Sequence, residues 1–466
     1  MTIDWKKEVA ARKEDFLADL ISLLKIDSVR DDSQATDDAP VGPGPKKALE
    51  AFLALGERDG FITKNVDSLA GHIEYGDGDE TLGVLAHVDV VPVGTGWETD
   101  PFDPVIKDGR IYARGSSDDK GPGMAAYYAL KIIKELDLPV SKRIRFIIGT
   151  DEESGWMCMD RYFEVEEKPD FGFSPDAEFP IINGEKGILT EYINTQGTTE
   201  GGKNTLISFD AGLRENMVPQ DATVIFKSEE VEKIEKDFYD FIETAPVTGT
   251  VSVEDNQVTI EVNGKAAHAM EPRGGVNAAT YLAVFLNRYS FGGDAKAFLE
   301  MTAEFFHDDS RAEKLGLNHV DEVMGDLTMN PGVFTFTPQD GGMIALNFRF
   351  PKGVSVESIE IELDKKLSHY GVTLGRGKEQ LPHYVPAEDP LVQTLLNVYA
   401  KQTGLEAHEQ TIGGGTYGRL FERGVAYGAM FPDSVDTMHQ ANEFMAIDDL
   451  MNAMSIYAEA IYELIK

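Results

Sequence analysis

Short apolar runs alternate with amphipathic segments along the first part of the chain, up to about residue 185. Runs rich in apolar and β-branched residues, bounded by turn-forming residues, predict strands at Ala70–Tyr75 (an edge strand), Leu82–Ala86, Arg110–Ala113, Lys142–Gly149 and Phe171–Ser174. Apolar side chains at helical spacing predict helices over 4–25, 46–59 and 123–136. Nearly continuous apolar strands are typical of parallel sheets buried on both faces. The pattern predicts an α/β domain built on a doubly wound mixed sheet.

The hydrophobic pattern changes at about Gly187. Apolar and polar residues now alternate, as in Gln257–Val262 and Met343–Phe350. Helical patterns recur over 228–243, 276–290 and 355–369, and after Pro382–Pro386 over 389–403 and 448–465. We therefore expect two domains: a catalytic domain formed by 1–185 and 385–466, and an inserted α+β lid domain formed by 186–384.

Composition narrows the possible partners and compartment. The 466 residues include 81 acidic and 43 basic side chains, a formal net charge of −38. A field of this sign repels phosphate backbones and anionic membranes, which argues against nucleic-acid or membrane partners. Cys158 is the single cysteine, and the chain has neither an apolar signal core nor a membrane-spanning run. We expect a cytoplasmic protein.

The strand Leu82–Ala86 leads into His87, and Asp89 follows two residues later. Side chains at the carboxyl end of a parallel strand point into the crevice where open α/β sheets bind ligands. A histidine near an aspartate suits a metal site, because the imidazole binds the ion and the carboxylate accepts the other ring N–H. Taken alone, this strand end is also compatible with a structural histidine.

Acidic residues occupy corresponding positions elsewhere in the same region. Asp118 lies in a glycine-rich turn before a helix, where helix capping by Asp118 or Asp119 is the alternative. Asp151–Glu153 are three consecutive carboxylates, which repel one another unless a cation lies among them, and a solvated acidic turn is the alternative. Asp176 follows the strand Phe171–Ser174. Together with His87, these groups predict a metal site at one edge of the sheet.

His439 differs from most of the other histidines, which have no partner pattern around them. It follows a predicted apolar strand, Val425–Phe431, and lies in the polar segment Met438–Glu443. From its position alone it could complete a second set of ligands or serve as an ordinary packing residue.

These residues carry a resemblance to a known family. The motifs that match, in order, are His87-x-Asp89-Val-Val-Pro, Gly115-x-x-Asp118-x-Lys120-Gly121, Asp151-Glu152-Glu153, Ser174-Pro-Asp176 and His439. The chain resembles the co-catalytic zinc metallopeptidases, which include carboxypeptidase G, aminoacylase, acetylornithine deacetylase and carnosinase. Within that family it is similar to the peptidase V type of bacterial dipeptidase over nearly the whole chain.

The resemblance implies a site for two divalent ions. Asp118 would bridge both ions, His87 and Asp176 would complete one site, and Glu153 and His439 the other. Imidazole and carboxylate ligands favour Zn²⁺ and leave Mn²⁺ or Co²⁺ open.

The resemblance also implies a mechanism. Glu152 would be the general base for a metal-bridging hydroxide, and Asp89 would orient His87. The peptide bond between Asp118 and Asp119 is expected to be cis.

The inserted domain is implied to bind the substrate. His268 would stabilise the oxyanion, Asn216 and Arg349 would hold the substrate, and Arg419 is a further candidate for its carboxylate. The expected protein is a monomer with an enclosed cavity that hydrolyses unblocked dipeptides. A deacylase or desuccinylase of N-acyl amino acids is the alternative. A non-catalytic binding protein is disfavoured because Glu152 and all five metal ligands are present.

Overall fold

The structure, a computed structural model, describes residues 3–466 and divides into two compact units. The first unit contains the chain up to Asn183, Tyr384–Gln410 and Gly415–Lys466. The second contains Gly184–His383 and the short segment Thr411–Gly414. The hydrophobic pattern did not indicate that Thr411–Gly414 belongs to the second unit, because four residues are too few to show a period.

The first unit is built on a six-stranded mixed sheet. Its strands, in spatial order, are Ile62–Val66, Ala70–Tyr75, Arg143–Gly149, Thr81–His87, Phe171–Ser174 and Gly424–Ala426. The last four are parallel, and the first two are antiparallel to their neighbours. Ala70–Tyr75 is therefore not the edge strand that the sequence predicted. That position belongs to Ile62–Val66, whose largely exposed residues show no apolar run.

Helices cover this sheet, and most of them share one large apolar core with it, while Met157–Val165 packs in a smaller apolar cluster with Leu85 and Ile147. The α-helices of the first unit are Trp5–Ala10, Lys13–Leu24, Pro43–Arg58, Lys120–Glu135, Met157–Val165, Pro390–Thr403 and Ile447–Ile465. The helix predicted over 4–25 is two helices. The C-terminal helix Ile447–Ile465 packs against the almost wholly buried helix Lys120–Glu135.

Short strands complete the first unit. They are Val105–Lys107, Arg110–Tyr112, Ala177–Glu178, Ala429–Met430 and Phe444–Ala446. The predicted strand Val425–Phe431 is interrupted after Ala426, because Gly428 has a φ of +75° that extended backbone does not adopt.

The second unit is an α+β fold with an antiparallel sheet. Its eight strands, in spatial order, are Thr248–Glu254, Gln257–Asn263, Asp221–Lys227, Thr205–Ala211, Thr328–Thr337, Gly341–Phe350, Gly187–Thr195 and Thr373–Gln380. Its α-helices are Val231–Ile242, Ala278–Leu286, Gly293–Met301 and Val356–Leu367. Apolar side chains of this sheet and these helices form a second core. Across residues 3–466, no helix has both the length and the apolar character that crossing a membrane requires.

Candidate metal centre

Parallel strands of the first unit bring the predicted site residues to one edge of the sheet. His87 is the last residue of Thr81–His87, which runs parallel to Arg143–Gly149 and to Phe171–Ser174. Glu152 and Asp176 follow the carboxyl ends of those two neighbours. The carboxyl ends of parallel strands meet at the same edge, which is where open α/β sheets bind their ligands.

Asp118 lies between two histidines and directs one carboxylate oxygen to each. Its Oδ1 is 3.0 Å from Nε2 of His87, and its Oδ2 is 2.9 Å from Nε2 of His439. Asp176 Oδ2 lies 3.5 Å from the same His87 nitrogen, and Glu153 Oε2 lies 3.1 Å from the same His439 nitrogen. Two groups of potential ligands therefore share the Asp118 carboxylate.

Asp89 holds the backbone of the acidic turn. Its Oδ1 and Oδ2 accept hydrogen bonds of 3.1 Å each from the backbone N–H groups of Glu152 and Glu153. His87 Nδ1 lies 3.0 Å from the backbone oxygen of Asp89 and 3.4 Å from its carboxylate. The sequence predicted that the Asp89 carboxylate accepts the ring N–H, but the Asp89 carbonyl lies closer, since the carboxylate accepts the two backbone N–H groups.

The three consecutive carboxylates have different surroundings. Potential ligand atoms of Glu152, His87 and Asp176 all lie within 4.8 Å of one another. Asp151 points elsewhere, because its Oδ1 is 2.6 Å from Nη1 of Arg30 and its Oδ2 accepts the backbone N–H of Met157. Only the second and third carboxylates of the turn therefore contribute to the site.

The electrostatics of the site fit a cluster that holds cations. Burial alone would lower the pKa of His87, but the nearby carboxylates of Asp118, Asp176 and Asp89 raise it well above its usual value. Hydrogen bonds with Asp118 and Glu153 raise the pKa of His439 to about 11. Burial, followed by repulsion from Asp118, raises the pKa of Glu153 to about 8. The crowded carboxylates favour any added positive charge.

The donor atoms also suit divalent ions. Among the described residues, Glu153 Oε1 is a buried oxygen without a hydrogen-bond partner. Imidazole nitrogen and carboxylate oxygen are ligands that Zn²⁺ and Mn²⁺ accept in proteins. The residues present therefore fit two divalent ions that share Asp118.

Asp119 contributes to the site, although its sequence position indicated only a possible helix cap. It directly precedes the helix Lys120–Glu135, but its side chain makes no capping hydrogen bond. Its Oδ2 instead accepts the backbone N–H of His87 at 3.1 Å. The peptide bond between Asp118 and Asp119 is cis, as the family resemblance led us to expect.

The predicted substrate-binding residues belong mainly to the second unit. Asn216, His268 and Arg349 lie there, whereas Arg419 lies in the short helix Tyr417–Leu420 of the first unit. Arg349 is 5% exposed, and its guanidinium donates to Asn347 Oδ1 at 2.9 Å and to the carbonyl of Gly413 at 2.8 Å. His268 Nδ1 accepts the backbone N–H of Met270 at 3.2 Å.

Comparison with known proteins shows the family of this chain. The sequence profile of Peptidase family M20/M25/M40 matches residues 83–463. Proteins of Staphylococcus haemolyticus and Staphylococcus epidermidis, both provisionally named dipeptidases, are 45% and 46% identical to this chain over 464 residues, covering 99% of each chain.

Solved structures share the fold at lower identity. Human carnosine dipeptidase 1 is 16% identical, with a TM-score of 0.58 over 99% of this chain and 98% of its own. Aminoacylhistidine dipeptidase from Vibrio alginolyticus is 15% identical, with a TM-score of 0.58 over 96% and 97%.

The fold and the cluster of ligands define a class, the metallopeptidases with a mixed-sheet domain and an α+β domain. Within that class, the chain belongs to Peptidase family M20/M25/M40 and is a peptide-bond hydrolase.

Proposed function

We propose that this chain is a dipeptidase that hydrolyses unblocked dipeptides with the help of two divalent metal ions. The observation that carries the proposal is the Asp118 carboxylate, whose two oxygens lie 3.0 Å and 2.9 Å from the Nε2 atoms of two different histidines. A carboxylate shared in this way suits two neighbouring ions. The dipeptidase names of the relatives at 45% and 46% identity support the substrate class.

In this proposal Asp118 belongs to both ion sites. His87 and Asp176 complete one, and Glu153 and His439 the other. Zn²⁺ is the favoured ion, and Mn²⁺ and Co²⁺ are compatible with the same ligands. When bound, such ions polarise the scissile carbonyl and lower the pKa of a water molecule.

Glu152 is the proposed general base. It would take a proton from the attacking water and deliver it to the leaving amine. Burial, with repulsion from the neighbouring Asp176, raises the pKa of Glu152 above its usual value. Asp89 would keep the Glu152 and Glu153 backbone in place through its two hydrogen bonds.

The second unit has a pocket with the chemistry for a peptide carboxylate. Its volume is about 440 Å³, and its lining includes Asn216, Asn347, Arg349 and Lys378. We assign Arg349 to the substrate carboxylate because a guanidinium binds carboxylates through paired hydrogen bonds. Asn216 would hold the peptide beside it. Arg419 is a further candidate for the carboxylate.

His268 is proposed to stabilise the oxyanion. Because its Nδ1 accepts the N–H of Met270, the neutral ring carries its proton on Nε2. An N–H donor of this kind stabilises the negative charge that develops on the substrate oxygen.

A substrate panel tests the proposal. We expect faster hydrolysis of free dipeptides than of tripeptides or N-acetyl amino acids, measured as kcat/KM for each. The Glu152→Ala protein, purified in the same way, controls for contaminating peptidases. Faster cleavage of N-acetyl amino acids would replace the dipeptidase assignment with the deacylase alternative.

We further propose that the protein acts as a monomer in the cytoplasm. The long inserted segment resembles the form of the family that is expected to act as a single chain. The one cysteine, Cys158, is buried and is compatible with a reducing compartment. Sedimentation equilibrium tests the oligomeric state, and a stable dimer would contradict the proposed monomer.

A further inference from the structure

Glu443 is a fully buried carboxylate in the same loop as His439, and the proposed reaction does not use it. Its Oε2 accepts hydrogen bonds from Arg114 Nη1 at 2.8 Å and from the backbone N–H of Gly115 at 3.1 Å. Its Oε1 accepts the backbone N–H groups of Ser117 at 2.8 Å and Asp118 at 3.2 Å. One side chain therefore receives four donors, and three of them are amides of the loop that ends at Asp118.

This loop, residues 113–118, is held by Glu443 at both ends. The backbone oxygen of Glu443 accepts the N–H of Ala113 at 3.1 Å, while its side chain accepts the N–H of Asp118. Among the described residues, the hydroxyl oxygens of Ser116 and Ser117 are buried without hydrogen-bond partners. Those side chains do not fix the loop, which is held by the Glu443 carboxylate together with backbone hydrogen bonds such as that from Arg114 N–H to the carbonyl of Pro101 at 2.9 Å.

Arg114 extends the same network to a third segment. Its Nη2 donates to the carbonyls of Pro92 at 3.3 Å and Val93 at 3.4 Å, and its guanidinium lies 5.2 Å from the ring centre of Trp97. These residues follow the strand that ends at His87. The Arg114–Glu443 pair therefore joins the segments that carry His87, Asp118 and His439.

Stability alone does not account for this arrangement. A buried ion pair often contributes little more to folding than apolar residues of the same volume, because both charges lose their hydration. The Glu443 carboxylate differs from a simple ion pair, since most of its hydrogen bonds go to backbone amides. Those bonds set the position of the Asp118 backbone, from which both carboxylate oxygens reach their histidines.

We propose that Glu443 is a positioning residue for the metal centre. It joins the Asp118 loop to the His439 loop, so that the shared carboxylate and the second histidine face each other. The inference rests on the proposed function, because the position matters only if ions are bound there. Residues behind metal ligands typically change metal affinity by about 10–100-fold when they are replaced.

The test is the affinity of the full-length, metal-free protein for Zn²⁺ and Mn²⁺, measured by competition with a chromophoric chelator. Glu443→Gln keeps the shape of the side chain but leaves it one acceptor oxygen instead of two. Backbone amides of the loop 113–118 therefore lose their hydrogen-bond acceptor. We expect its Kd for the metal to rise by about 10–100-fold. Its melting temperature without metal is measured beside that of the control, so that a loss of stability, which the buried Arg114 makes larger here, is separated from the loss of metal affinity.

Glu459→Gln is the matched control. Glu459 is 3% exposed on the helix Ile447–Ile465, and its carboxylate receives Lys401 and Gln402. The same chemical change there removes the ion pair between a buried carboxylate and the exposed Lys401, without touching the Asp118 loop. We expect metal affinity within about threefold of the wild type for this control, below the range seen behind metal ligands.

The outcomes separate the two proposals. If the wild type binds neither Zn²⁺ nor Mn²⁺, the proposed function fails together with this inference. If the wild type binds them and Glu443→Gln binds as tightly, only the role of Glu443 is overturned. If Glu443→Gln does not fold, Glu443→Asp replaces it; this variant keeps the charge but retracts the oxygens by about 1.5 Å. Wild-type affinity in that variant would overturn the role.

Discussion

Glu152 and Glu153 are adjacent in the sequence, but their side chains have different neighbours. Glu153 lies 3.1 Å from His439, whereas Glu152 groups with His87 and Asp176. We predict that Glu152→Ala retains metal and loses about 10²–10⁴-fold in kcat, because a general base contributes that much. Steady-state kinetics and metal analysis check this.

Glu153→Ala is the contrasting variant. It removes a proposed ligand, so it should lose metal as well as activity. A Glu152→Ala enzyme with near-normal turnover would rule out Glu152 as the base.

Residue type made part of the candidate site predictable. Histidine and carboxylate side chains bind metal ions, and their positions after apolar strands are visible in the sequence. His87, Asp118 and Asp176 could therefore be predicted as metal ligands from the sequence. Asp119 and Glu443 could not, because their contacts are with backbone amides that only the folded chain brings near. The one signal for Glu443 in the sequence was its position, four residues after the candidate ligand His439.

Strands and helices were predictable to the extent that each buries a regular face. Phe171–Ser174 is buried throughout and was predicted with its observed bounds. The edge strand Ile62–Val66 was missed, since it buries only Val66 and shows no apolar run. The helix predicted over 4–25 carries one apolar pattern, and the break between Ala10 and Lys13 leaves no mark on that pattern.

His72 makes the strand Ala70–Tyr75 sensitive to pH. Its side chain is buried, with Nδ1 2.7 Å from the hydroxyl of Tyr162, and burial lowers its pKa to about 4. An unfolded histidine has a pKa of about 6.5, so between these values the unfolded chain binds a proton that the folded chain does not. Stability is therefore lost as pH falls through this window.

We predict that His72→Gln reduces this loss. Between pH 7 and pH 4.5, the wild type should lose about 2–3 kcal/mol more free energy of unfolding than the variant. Urea unfolding in the presence of a chelator measures the difference, and His408→Gln, at an exposed position, is the control. Equal pH dependence in the wild type and His72→Gln would show that burial of His72 does not set the slope.

The charge of the whole molecule complicates any test for metal. With 81 acidic and 43 basic residues, the net charge of −38 attracts every cation and weakens the folded state through self-repulsion. Salt alone will therefore stabilise the protein to some degree by screening. Two comparisons distinguish binding at a specific site from this general attraction. One compares different divalent ions, and the other compares the wild type with a variant that lacks a proposed ligand.

We predict that Zn²⁺ or Mn²⁺ raises the melting temperature of the chelator-treated protein and restores its activity. An ion that binds only the folded state adds about 2.7 kcal/mol at 100 times its Kd. Differential scanning fluorimetry at constant ionic strength measures the shift, with Ca²⁺ as the control for charge and Asp118→Asn as the control for the site. The general field treats divalent ions alike, whereas imidazole ligands favour Zn²⁺ or Mn²⁺ over Ca²⁺. Equal shifts with Ca²⁺, or in Asp118→Asn, would assign the stabilisation to the field instead of to ions shared by Asp118.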